Sequence, residues 1–169
     1  MTSIKITPDV GPLILTVRGQ RVILDADLAA LYGVTTKAFN QAVKRNQERF
    51  PHSFAFQLTA EEKQEVVTNC DHLQRLKFSP VLPWGFTEHG ALQASNVLNS
   101  PKAVAMSVYI ISAFIRLREA VADNQVMAKR LAEVEKTLLT HDVALRDIYQ
   151  KIRPLLLPPH DPPRKKIGF

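Results

Sequence analysis

Leu24 to Phe50, LDADLAALYGVTTKAFNQAVKRNQERF, reads as two short helices joined by a glycine turn, the second of them basic. The first spans about Asp25 to Tyr32 and places Leu24, Leu28 and Leu31 on one face. Gly33 breaks it, at a position where a residue without Cβ costs least. Thr35 or Thr36 then caps a second helix running to about Arg49, with Phe39 and Val43 turned inward. Ala29 ahead of the glycine lets two helices cross closely, and Phe39 after it fills the corner. This is the layout that places a helix in the DNA major groove. Thr36, Lys37, Asn40, Gln41, Lys44 and Arg45 fall on the outward side of the second helix. Amides read adenine edges, and lysine and arginine reach guanine or phosphate. The competing reading is an ordinary helical hairpin with a solvated basic face.

Outward from this segment the chain alternates short strands and helices, so the expected class is α+β. ILTVRGQRVIL, residues 14–24, makes a β-hairpin around Arg18-Gly19-Gln20, and Arg18 and Arg21 flank its turn. SFAFQL, 53–58, is a strand. Thr59 and Glu62 then have capping-box spacing for a helix to about Val67. Thr68 to Ser79 dissolves into a polar loop carrying His72, Arg75 and Lys77. VLPWGF, 81–86, is interrupted by Pro83 and suits an edge strand. Pairing of these last two strands would make a wing, with Arg75 and Lys77 positioned for the DNA backbone; the alternative is a plain surface loop. Thr87 caps a helix that ends at Asn99. Ser100-Pro101 restarts one, with serine as N-cap and proline in the first turn. From Lys102 to Leu117 that helix is apolar on nearly every side, which predicts the central buried helix of the domain.

The helical pattern continues as heptads. With Leu117 at position a, the a series runs Asn124, Leu131, Leu138, Leu145, Ile152, and the d series Ala120, Met127, Val134, His141, Ile148. These residues predict a coiled-coil homodimer or higher homo-oligomer, with Asn124 fixing a parallel two-stranded register and Arg130 pairing with Glu135 between chains. Unbroken, the helix from Pro101 to about Ile152 would be roughly 75 Å long. The competing reading is a helix folded back on its own domain. Pro154 is expected to end it, and RPLLLPPHDPPRKKIGF to form a disordered, Pro-rich basic tail. The predicted organisation is a DNA-binding domain over 1–120, a dimerisation helix over 121–153 and a tail over 154–169.

Composition bounds the function. The 169 residues are 46% apolar, ample for a core, and the net charge of +6 points toward a polyanion. No apolar run reaches the length of a membrane span, and MTSIKITPDVG lacks the apolar core of a signal peptide, so a cytoplasmic, nucleoid-associated protein is expected. Cys70 is the sole cysteine, which leaves no disulfide and no cysteine-based zinc site. The histidines, at 52, 72, 89, 141 and 160, show no metal-ligand spacing, and Gly19 and Gly33 form no phosphate loop. No catalytic residue, metal or cofactor is expected, and no enzyme activity.

The runs LYGV, KRNQERFP, FQLT and FTEHG, in order over roughly residues 10–120, resemble the KilA-N-type DNA-binding domains of phages and bacteria, in the branch called the ORF-six N-terminal domain. The resemblance implies DNA binding by the N-terminal domain in a phage or prophage regulator. The expected function is therefore a dimeric, sequence-specific transcriptional regulator on double-stranded DNA in a bacterial or phage-infected cell. Its rival is an antirepressor-like factor that binds a repressor protein and DNA only weakly. Lys37, Asn40, Gln41 and Lys44 are the expected base readers. Thr36, Arg45 and Arg49 lie nearer the phosphates, and Arg18, Arg21, Arg75 and Lys77 are secondary backbone contacts.

Overall fold

The computed structural model describes residues 8–156. Contacts divide the chain into two units, Met1–Ala120 and Val121–Phe169. The first unit contains β1 (Leu15–Val17), β2 (Gln20–Leu24), α1 (Asp25–Tyr32), α2 (Thr36–Arg45), β3 (Ala55–Gln57), α3 (Ala60–Asn69), β4 (Trp84–Phe86) and α4 (Glu88–Leu98). It also contains the start of α5 (Pro101–Leu156), which continues into the second unit.

Local chemistry sets most of the boundaries. Arg18 and Gly19 both take positive φ, 53° and 72°, the two-residue turn whose twist suits a hairpin. Thr59 and Glu62 form the capping box expected of them, and Thr87 and Ser100 accept from the amides of Gly90 and Ala103. Asn99 closes α4 in the left-handed region at φ 46°.

The four strands form one antiparallel sheet in the order β1-β2-β4-β3. Successive side chains of a strand point to opposite faces, and both faces here are covered. Ile23, Ala55 and Phe86 join a core with α1, α2, α4 and the start of α5. Val22, Leu24, Phe56 and Leu58 join a second core with Val66, Val67 and Leu73. In the first core Phe86 meets Phe39 and Phe50 edge-on, with ring centroids 5.2 and 6.0 Å apart, a geometry worth about 1 kcal/mol per pair beyond the area buried. α4 approaches β3 so closely that a Cβ at Gly90 would lie 2.0 Å from the Phe54 carbonyl oxygen.

Five expectations need correction. VLPWGF is not an edge strand: Pro83 precedes β4, its carbonyl accepts from the Leu58 amide, and β4 lies between β2 and β3. Residues 71–78 are not a loop but a 3-10 helix, Asp71–Phe78, whose Leu73 is fully buried under the sheet. The two strands do pair, as expected, but the segment joining them is packed helical structure, α3 and this 3-10 helix, rather than a basic loop. The second helix stops at Arg45, because the Asn46 side-chain amide donates to the Ala42 carbonyl and the chain tightens into a 3-10 turn at Gln47–Arg49.

The fifth correction concerns α5. Ala103, Ser107, Ile110 and Phe114, one face at helical spacing, are buried, whereas Val104, Val108 and Ile115 on the other face are exposed. The core needs only one side of this helix, so apolar character all round did not mean burial all round. In the second unit the described residues of α5, 121–155, are exposed throughout. α5 also carries Pro154 inside it, with helix described through Leu156, so the proline does not end the helix at its own position. The remaining tail residues, 157–169, lie outside the described residues.

Candidate nucleic-acid interface

The turn between α1 and α2 is built from backbone hydrogen bonds. Gly33 sits at φ 74° and donates to Ala30, while Val34 donates to Ala29, the paired bonds of a Schellman cap. Thr35 then caps α2 through Ala38, 3.1 Å away. Ala29 and Phe39 are buried, as the helix-turn-helix layout requires. Tyr32 anchors the pair by donating its hydroxyl to the Ala91 carbonyl at 2.6 Å, and burial holds its phenol above the usual range. With Phe39 fixed, Thr36, Lys37, Gln41, Lys44 and Arg45 turn to solvent.

This outer face forms one wall of an open groove of about 840 Å³. Thr36, Lys37, Asn40, Gln41 and Lys44 line it from α2, Asp25, Ala26 and Ala30 from α1, and Arg75, Leu76, Ser79 and Val81 from beyond α3. A neighbouring groove of about 580 Å³ shares Asp25, Asn40, Lys44 and Val81 with it and reaches Trp84. The structure thus gathers all four expected base readers along one groove and adds Arg75 to them. Arg45 and Arg49 are exposed but line neither groove.

Two buried carboxylates in the first turn of α1 fix the groove. Asp25 is 6% exposed and accepts from Asn40 Nδ2 at 2.8 Å and from its neighbour's amide, Ala26, at 2.9 Å. Burial pushes its carboxyl above the ordinary range, and these hydrogen bonds only partly offset that. Asp27, equally buried, lies 3.2 Å from His72 Nε2 and 3.6 Å from Arg75. Asn40 is therefore not a free reader: it is half-buried and its amide is held by α1.

Other expected contacts lie elsewhere. Arg18 forks onto Glu62 through Nε and Nη2, at 2.6 and 2.9 Å, and lies over the Phe56 ring. That pairing commits it to the fold. Arg21 sits half-exposed on the hairpin, opposite Thr16. Lys77 is exposed, its ammonium 5.7 Å from the centroid of Phe78. Phe78, Val81 and Trp84 were not singled out in the sequence, although an aromatic directly after Lys77 was its visible signal. Among the described residues no cluster of His, Cys, Asp and Glu is arranged to hold a metal ion, and no helix is long and apolar enough to cross a membrane.

The ORF6N domain model matches residues 12–97. The chain belongs to the ORF6N domain family. The matched span runs from before β1 almost to the end of α4, so the ORF6N domain contains the α1–α2 pair, the whole sheet and both sides of the groove. No curated protein and no solved structure matches the chain.

Proposed function

We propose that this ORF6N protein binds double-stranded DNA in a sequence-dependent manner through α2 and acts as a phage- or prophage-type transcriptional regulator, without enzyme activity, in the bacterial cytoplasm. One observation carries the reading: a capped helix anchored by Phe39 turns Thr36, Lys37, Gln41 and Lys44 outward, and none of these four is paired to an acid among the described residues. Lysines so placed meet phosphates, while Gln41 reaches base edges. In the second unit Met127, Leu131, Val134, Leu138, Leu145, Ile148 and Ile152 are exposed in a single chain. A second copy covers them best, and the reading therefore includes a dimer or higher oligomer joined through α5, with Leu117 and Asn124 in the same seam. Two α2 helices per particle favour paired half-sites.

Selection of duplex sites from a random pool by the purified chain tests this. Enrichment of a paired motif is expected, with Lys44→Ala and Arg45→Ala weakening binding to every site. Equal retention of selected and random duplex would refute sequence-dependent binding. The antirepressor reading has one observation in its favour, the apolar face of α5 at Val104, Val108 and Ile115, which suits a protein partner. Co-purification with a repressor, together with equal affinity for specific and random DNA, would replace the first reading by the second.

A further inference from the structure

Phe78 is 86% exposed, more than any other large apolar side chain among the described residues. It contributes almost nothing to the core, yet the backbone beneath it is firmly held. Leu73 is buried in the second core, His72 and Arg75 face Asp27, and Gln74 Nε2 donates to the Val67 carbonyl at 2.9 Å. Lys63 donates to the carbonyl of Ser79, the next residue. Pro80 and Val81 follow, also exposed. A phenyl ring therefore stands on a rigid, apolar tip.

Its position is specific. Leu76 and Ser79, on either side of it in sequence, line the groove whose other wall is α2. Lys77 adjoins it, with its ammonium 5.7 Å from the ring. Any surface that meets Phe78 also meets this cation, and the lysines of α2 stand across the groove that its sequence neighbours Leu76 and Ser79 line. An apolar protein surface would have to desolvate those charges, whereas a nucleic acid offers a phosphate for each ammonium and a stacked base for the ring. Phenylalanine is among the apolar side chains that minor-groove-binding proteins insert as wedges between base steps.

We propose that Phe78 is a second DNA-contacting element, inserting at a minor-groove base step that flanks the segment read by α2, with Lys77 on the adjacent phosphate. The proposal rests on the reading of α2 as a DNA-binding helix. Insertion partly unstacks that step and bends the duplex, so the preferred site carries a flexible pyrimidine–purine step there.

The test uses the full chain and a selected duplex that carries end-labelled fluorophores and 2-aminopurine at the flanking steps. Wild type is expected to bring the ends together and raise 2-aminopurine fluorescence at one step. Phe78→Ala should lose both signals and bind about tenfold more weakly, with an unchanged slope of log affinity against log salt. Phe78→Leu should keep most of the bend, and Lys77→Ala should reduce the salt slope by about one. Phe78 is exposed, so its variants should melt with wild type. Full affinity and bending in Phe78→Ala, with binding still lost in Lys44→Ala, would overturn the wedge and leave α2 in place. A wild-type complex with neither bend nor 2-aminopurine signal would also overturn it, whatever the affinity of Phe78→Ala. Absence of duplex binding by wild type at low salt would remove the wedge together with the reading beneath it.

Discussion

Replacing Asn40 with alanine removes the side-chain donor that lies 2.8 Å from a carboxylate only 6% exposed. A hydrogen bond to a charged acceptor contributes about 1.5–3 kcal/mol, and losing it leaves the charge desolvated. Asp25 keeps the Ala26 amide at 2.9 Å, so the lower half of that range applies, about 1.5–2 kcal/mol at neutral pH. For a chain of this size that is a fall of roughly 3–8 °C in Tm. The effect has a pH signature. Burial raises the folded carboxyl above its ordinary value of 3.8, so ionising Asp25 opposes folding. Stability attributable to it is highest below that value and declines as pH rises through the folded pKa. Asn40 is one of the groups limiting the rise, so Asn40→Ala deepens the decline. The gap between variant and wild type should be small near pH 4 and largest at neutrality, read by urea unfolding at several pH values. Asp25→Asn placed on Asn40→Ala should recover most of the loss, because no charge is then left unpaired. A gap independent of pH, or a double variant no more stable than the single one, would refute the reasoning. Asn40 was expected only as a base reader; its bond to Asp25 gives the same substitution an effect on the fold.

Gly90→Ala should destabilise by about 3 kcal/mol or fail to fold, because the added methyl meets a backbone oxygen at 2.0 Å and α4 must retreat from β3; chemical denaturation measures it. Glu62→Gln should lose stability at neutral pH and converge with wild type in acid. The Arg18 fork, chiefly, and the Thr59 amide hold the Glu62 carboxyl down at about 2 against an ordinary 4.5, so its contribution is present above 4.5 and lost as pH falls toward 2. Thermal melts between pH 2 and 7 check the convergence. Asn124→Leu should raise the melting temperature of the α5 oligomer while broadening its mass distribution in light scattering, since a buried asparagine trades stability for a single register. A monomeric wild type in that experiment would remove the seam altogether.

What the sequence made legible is what neighbouring residues decide. Gly33 and Thr35 bound the turn, Thr59 and Glu62 box a helix start, and Ser100-Pro101 opens α5; each is a contact within a few residues, written in the side chains themselves. Distant choices were hidden. Pro83 looked like the mark of an edge because only the sheet, not the strand, determines whether a proline falls inside or just before the ladder. Leu73 and Leu76 are a single pair of leucines three apart in a polar run, too little periodicity to betray a 3-10 helix that closes a core. Asp25 and Asn40 lie on different helices, and only the crossing of α1 and α2 brings them together. Hydropathy in Lys102–Leu117 could not separate the side facing the chain's own core from the side left open.

Asp25 and Asp27 are two positions apart, yet one holds α2 and the other holds the segment carrying His72 and Arg75. Both walls of the groove therefore share a root in a single helical turn. The spacing of the surface is set there, while Lys37, Gln41 and Lys44 hang from it as replaceable parts. On the proposed reading of α2 as a DNA-binding helix, a designer seeking a new target sequence would exchange those side chains and keep the span between the walls by leaving the acidic turn alone.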